Sequence, residues 1–214
     1  MADDQTDAQQ DLAAGRFSSW IVAFGRAQRD DAGAAVPCGG CTACCTSSQF
    51  VHVAPDETRT LSRIPSALLF PAPGLPTGNV LMGYDERGHC PMFVDGGCSI
   101  YEDRPRTCRT YDCRVFPATG IELDDASKAL ISDRTRRWKF DLPAERDRRQ
   151  QAAVRAAAAY LREHADELGD GVLARNPTQL AFVAVAVHGL FLGDGGTSAE
   201  PSVDVVAAAV RRAR

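Results

Sequence analysis

The sequence predicts a mainly α fold that carries a small, irregular and partly β cysteine-rich module, followed by a helical C-terminal extension. Three observations lead there. All eight cysteines lie between Cys38 and Cys113. The segments between them are short apolar runs broken by Pro and Gly, the pattern of short strands and turns. From residue 143 onward the chain has no cysteine and becomes Ala-rich, with apolar residues at helical spacing.

The chain has 214 residues, 44% of them hydrophobic, enough to build a core without covalent staples. A formal net charge of −4 argues against a general nucleic-acid binder, whose domain is usually strongly basic. The opening "MADDQTDAQQDLAAG" has neither a basic start nor an apolar run, so no secretory signal is expected. The longest nearly apolar stretch, Leu180 to Leu192, is 13 residues and reads as a buried helix rather than a membrane span. The expectation is a soluble cytoplasmic protein with no membrane or nucleic-acid partner, its protein partner unknown. The cytosol keeps thiols reduced, so eight cysteines there suggest metal ligation or catalysis before disulfides.

Residues 1–11 are polar and acidic and are expected to be disordered. Residues 12–28 place Phe17, Trp20, Ile21 and Phe24 at helical spacing, which predicts one helix. After the first cysteines, "FVHVAP" alternates as a short strand. "PDETRTLSRI" reads as a short helix with Pro55 at or before its start. "PSALLFPAPGLPTGNV", with four prolines and two glycines, reads as a long loop. "HCPMFVDGGCSIYE" reads as strand, Asp-Gly-Gly turn and strand, and "DRPRTCRTYDC" as a helical turn with Pro105 near its N-terminus. Three helices follow: "PAERDRRQQAAVRAAAAYLREHADEL", amphipathic; "NPTQLAFVAVAVHGLFLG", begun by an Asn-Pro cap; and "EPSVDVVAAAVRRAR", with Arg211, Arg212 and Arg214 where cations suit the helix dipole. The expected domains are residues 12–142, the cysteine module with its N-terminal helix, and residues 143–214, a helical extension packed on it.

The cysteines run C-x2-C-x2-C-C at Cys38, Cys41, Cys44 and Cys45. After 44 intervening residues they continue as Cys90, Cys98, Cys108 and Cys113. A C-x2-C turn aims backbone N–H groups at its sulfurs and lets two of them approach one metal. Zinc and a [4Fe–4S] cluster each take four thiolates. Eight cysteines therefore suit two sites of four or one site with spare thiols. In an extended backbone, adjacent Cys44 and Cys45 point to opposite sides, so one of them faces the first group and the other a second group or the interior; a single metal taking both would require a bent backbone there. Four thiolates on a divalent ion leave a net charge of about −2, and Arg104, Arg106, Arg109 and Arg114 stand among the downstream cysteines as donors to it. Disulfides are the poorer reading: eight cysteines pair in about 105 ways, and a cytosolic chain with a good core needs none.

"CGGCTACC" together with "HCPMFVDGGCSIYEDRPRTCRTYDC" resembles the YkgJ-type cysteine-cluster proteins, described as a zinc- or iron-chelating domain. The matching residues are Cys38, Cys41, Cys44 and Cys45; Cys90-Pro91-Met92; Cys98-Ser99-Ile100-Tyr101; Glu102, Arg104-Pro105 and Cys108-Arg109; with Cys113 at the place of the last cysteine. The resemblance covers residues 36–118. It implies a centre of zinc or an iron–sulfur cluster held by cysteine. Some relatives resemble flagellin lysine N-methylases, which implies iron–sulfur-dependent methyl transfer. This chain carries no glycine-rich loop for a methyl donor, and its spacing C-x2-C-x3-C reverses that of radical enzymes.

Other residues read more plainly. His89 beside Cys90 is a minor ligand candidate, His52 a polar residue on a strand face, His188 a hydrogen-bonded core histidine and His164 solvated. "RTRRWKF" reads as a solvated basic helix face with Trp138 and Phe140 turned to the core. Tyr101 is placed to cover the site, and Glu102 to pair with an arginine. No carboxylate pair or nucleophile motif stands out. Three functions remain open at this point: a metal-binding protein using all eight cysteines; an iron–sulfur-dependent enzyme, redox or lysine N-methylase-like; and a zinc-stabilised protein-interaction module.

Overall fold

The computed structural model of the protein describes residues 10–30, 33–169, 176–193 and 200–213. Its strands in chain order are β1 (Leu12–Arg16), β2 (Val51–Val53), β3 (Leu69–Pro71), β4 (Val80–Met82), β5 (Phe93–Val94), β6 (Gly97–Cys98) and β7 (Trp138–Asp141). Its helices are α1 (Phe17–Asp30), α2 (Thr58–Leu61), α3 (Arg106–Thr110), α4 (Val115–Thr119), α5 (Ala129–Arg137), α6 (Glu145–Glu163), α7 (Pro177–Val187) and α8 (Val203–Arg212). The chain is mainly helical with few strands, as its sequence predicts. It divides into two compact units: Met1–Gly25 with Cys113–Glu122 and Thr135–Arg214, and Arg26–Asp112 with Leu123–Arg134.

The first unit is helical. In it α6 packs on α7 and α4, and α7 on α8. The facing residues are small and aliphatic: Ala157, Leu161, Ala181, Ala184, Val206 and Val210 are all fully buried. At one end the rings of Phe17, Trp20 and Phe140 meet at centroid distances of 4.9 to 5.3 Å. Phe24 extends the cluster to Phe182 at 5.0 Å. Asn176 caps α7 by accepting the N–H of Thr178, as the Asn-Pro start predicts. Of the stretch expected to be disordered, only Gln10 and Asp11 are described residues. The Gln10 carbonyl accepts from Arg137, and Asp11 pairs with Lys139 at 3.6 Å. Arg214 also lies outside the described residues.

The helix expected over residues 12–28 is a correction. Leu12–Arg16 is a strand, parallel to β7 with Leu12 opposite Trp138 and Arg16 opposite Asp141. Gly15 has φ +85°, which a helix cannot continue through, and the register shifts between Ala13 and Gly15. A parallel partner more than a hundred residues away leaves no local signal, and Leu-Ala-Ala reads as helix by default. The basic run is likewise split. α5 stops at Arg137, and β7 alternates buried Trp138, exposed Lys139, half-buried Phe140 and exposed Asp141.

Asp147 organises this unit. It is fully buried on the first turn of α6. Its carboxylate accepts the N–H of Ala144 at 3.0 Å, the N–H of Ser18 at 3.0 Å and Nε of Arg16 at 3.1 Å. One side chain thus satisfies the N-terminal ends of both α6 and α1, whose first N–H groups have no partner inside their own helices. The hydrogen bonds from Ser18 and Arg16 hold its carboxyl well below the usual carboxylate range.

The second unit holds the strands β2-β4-β3, antiparallel throughout, and the hairpin β5-β6. Its core is Val51, Val53, Ile64, Met82 and Met92. The hairpin turns through Asp95 at φ +50° and Gly96 at φ +79°, the left-handed pair of a tight turn, as Asp-Gly predicts. The expected long loop from Pro65 is a second correction: residues 66–68 form a 3-10 turn, and Leu69–Pro71 is a strand. Pro71 suits an edge position, since no ladder donor is needed there. Glu57 is buried, its carboxylate accepting the N–H groups of Ala54 and Arg106, so it caps α3 where Pro105 begins it.

Because Asp147 is ionised in the fold below the ordinary carboxylate value of about 3.9, its stabilisation is present above that pH and is lost as pH falls through the folded value. Asp147→Ala is expected to lower the thermal midpoint at pH 7 by roughly 5–10 °C, and Asp147→Asn by less. The gap between wild type and Asp147→Asn should narrow below about pH 4. Urea unfolding across that range checks it, and a constant gap contradicts the role given to the charge.

Candidate metal centre

Seven of the eight cysteines belong to the second unit. All eight are thiols rather than disulfides. The C-x2-C segment is a tight turn: Cys41 N–H donates to the Cys38 carbonyl at 3.1 Å, and Gly39 takes φ +56° to allow it. Arg134 donates to the Cys38 carbonyl at 3.0 Å. Residues 43–46 form a 3-10 turn, closed by Cys45 N–H to Thr42 O at 2.8 Å. This corrects the expectation of an extended backbone at Cys44 and Cys45. Successive side chains of a 3-10 turn diverge by about a third of a turn. Cys44 is exposed and Cys45 half-buried.

Two backbone hydrogen bonds join this segment to the downstream cysteines. Cys90 N–H donates to Cys45 O at 2.7 Å, and Ser48 N–H to Gly88 O at 2.8 Å. They continue the antiparallel direction of β2 and β4 beyond the sheet. Lys128 Nζ donates to the carbonyls of Ser47 and Ser48 at 2.7 and 2.6 Å, pinning the end of the turn. Asp85 accepts the N–H groups of Arg87 and His89 and so shapes the loop that delivers Cys90. Cys98 lies on β6 opposite Phe93, and Cys108 lies within α3.

Cys45, Cys90, Cys98 and Cys108 form one group: Cys108 feels Cys90, Cys45 and Cys98, Cys45 feels Cys90 and Cys98, and Cys90 feels Cys98. Cys41 reaches Cys45 from the edge. Cys90 and Cys108 also pack against the apolar core. Burial, then the thiols of Cys90, Cys45 and Cys98, push Cys108 up to about 12, while Arg104 draws it down. Burial, then Cys90 and Cys98, push Cys45 up to about 11, with Arg104 again opposing. Burial also raises Cys90, but the backbone N–H groups of Met92 and Phe93 donate to its sulfur and favour the thiolate. That turn is the one feature of "CPMF" that spacing alone did not reveal.

The four sulfurs are neighbours, not ligands preset around a centre: among the described residues no group of three or more His, Cys, Asp or Glu stands at metal-holding geometry. The surroundings nevertheless suit a soft metal. The donors are all sulfur, the peptide N–H groups face Cys90, and the buried Nε of Arg104 has no acceptor among the described residues.

Cys113 belongs to the first unit, where it is buried and accepts the indole N–H of Trp138 at 3.2 Å. The expected arginine donors divide. Arg104 stands by Cys45 and Cys108. Arg106 pairs with Asp56 at 2.8 Å, and Arg109 donates to the Arg104 carbonyl. Arg114, in the first unit, donates to Ala14 O. His89 stacks edge-on against Phe93 at 5.7 Å. His52 pairs with Asn79 at 2.8 Å, His188 with the Val185 carbonyl at 2.7 Å, and His164 with Glu167 at 3.0 Å.

Two predictions follow from this packing. A Cβ on Gly88 would stand 2.3 Å from Ser48 Oγ, at a backbone φ of +79°. Gly88→Ala should therefore destabilise by about 1–3 kcal/mol, more than Gly74→Ala, whose φ is positive but whose Cβ meets nothing. Equal unfolding midpoints for the two variants would refute the steric role. Second, Cys45 and Cys108 titrate above the ordinary thiol value of 9.0 in the fold. The metal-free protein keeps their contribution below pH 9.0 and should lose stability as pH rises through about 11 and 12. Urea midpoints measured with reductant and chelator should fall more steeply above pH 9.0 for wild type than for Cys45→Ala/Cys108→Ala.

No curated protein and no solved structure matches the chain. Residues 37–135 match the family model CxxCxxCC, described as "Putative zinc- or iron-chelating domain". That span holds every cysteine, the turn, the hairpin and α3. Over residues 37–135 the protein is similar to the CxxCxxCC family of zinc- or iron-chelating domains.

Proposed function

We propose that the protein binds zinc or a [4Fe–4S] cluster through cysteine thiolates, and that Cys45, Cys90, Cys98 and Cys108 are the ligands. The observation that carries this reading is their grouping within one unit, from a 3-10 turn, the loop before the hairpin, β6 and α3, with Cys90 and Cys108 against the apolar core. Four thiols that raise one another's ionisation cost are poor neighbours as thiolates alone. A cation among them reverses that cost, because each ligated sulfur gives up its proton. Cys38, Cys41, Cys44 and Cys113 complete the eight-cysteine donor set of the sequence. Zinc bound by four thiolates supplies structural cross-linking, and a cluster supplies electron storage. The chain's own part is to hold the sulfurs on a 3-10 turn, a hairpin and α3, and to aim peptide N–H groups at Cys90.

Protein purified without oxygen should contain stoichiometric zinc, or iron with equal acid-labile sulfide and a brown colour. Single Ser variants of Cys45, Cys90, Cys98 and Cys108 should each lose most of the metal, and the same series on Cys38, Cys41, Cys44 and Cys113 ranks the others. Metal uptake should release protons, its apparent affinity rising about tenfold per pH unit for each proton released. Folded, metal-free protein that is indifferent to chelators sinks the proposal.

A further inference from the structure

Arg104 stands in a tightly tied stretch of chain. Its neighbour Asp103 is buried and paired with Arg59 and Arg63, and Pro105 follows it into α3. Its own carbonyl accepts from Arg109. The guanidinium carbon lies 3.7 Å from the centroid of the exposed Tyr101 ring. Arg104 reaches both Cys45 and Cys108 electrostatically. Yet its Nε is buried with no acceptor among the described residues. Buried donors without acceptors are uncommon, and a fixed one beside a set of thiols asks what it is kept for. A neutral thiol is a weak acceptor, whereas a thiolate is a strong one.

We propose that Arg104 is the positioning residue of the metal centre, its Nε–H donating to a ligating cysteine thiolate and its charge offsetting that of the four-sulfur set. This rests on the chelating function proposed above and extends it to the group that tunes the site. The guanidinium offers a fixed N–H in a set plane, which a lysine in the same place does not. Tyr101 keeps that plane in position by stacking.

Cobalt(II) titration of the metal-free full chain tests it, reading the sulfur-to-cobalt charge-transfer bands and the thermal midpoint with and without metal. Arg104→Gln is expected to bind cobalt about 10–100-fold more weakly and to shift the charge-transfer energy, with Arg104→Lys between it and wild type. The metal-free midpoint of Arg104→Gln should fall less than the metal-bound one, since the lost stack on Tyr101 weighs on both states and the lost Nε donor only on the metal-bound one. Wild-type affinity and spectrum in Arg104→Gln would overturn the proposal. So would an equal loss of stability with and without metal, which marks a merely structural arginine. A wild-type chain that takes up no cobalt, zinc or iron overturns the chelating function itself, a separate outcome from these.

Discussion

The hydrogen bond from Cys90 N–H to the Cys45 carbonyl is the contact on which the cysteine module depends. It closes a loop of 44 residues that contains the whole three-stranded sheet, and it sets two cysteines side by side. Closing such a loop is entropically unfavourable, and the apolar core of Val51, Val53, Ile64, Met82 and Met92 offsets it. Once the strands pair, the chain leaving β4 has little freedom. Asp85 folds it back, Gly88 meets Ser48, and Cys90 arrives opposite Cys45. The hairpin and α3 then add Cys98 and Cys108 from the other end.

The core that closes the loop also burdens the thiols. Cys90 and Cys108 lie against apolar side chains, and burial is the largest reason that Cys45, Cys90 and Cys108 resist ionisation. The module answers with fixed dipoles and one fixed charge, the peptide N–H groups facing Cys90 and the guanidinium of Arg104. Each of these becomes more favourable as sulfur becomes anionic. The fold thus favours neutral thiols by burial, while the same N–H groups and guanidinium would favour ionised sulfur in the metal-bound set proposed above.

The two units treat buried charge in opposite ways. Asp147 is a carboxylate whose donors are all in place, from Ala144, Ser18 and Arg16, so it ties two helix starts together without help. Arg104 is a cation with a donor unspent. A complete network gives rigidity, and an incomplete one marks where a further group belongs.

Much of this was legible in the sequence, because much of it is local. The C-x2-C turn needs Gly39, the hairpin Asp95-Gly96, and α7 Asn176 before Pro177. The late helices follow from their periodicity, and the family follows from cysteine spacing. Three things required the tertiary structure, each because its partner is distant in the chain. β1 is a strand only because β7 pairs with it, and Leu69–Pro71 is a strand only because β4 lies beside it. The division of the cysteines, with four grouped as neighbours, Cys44 exposed and Cys113 accepting an indole N–H, depends on a 3-10 turn and a core that spacing does not encode. Spacing determined the likeness of this stretch to a metal-chelating domain; tertiary packing decided which of its thiols are neighbours.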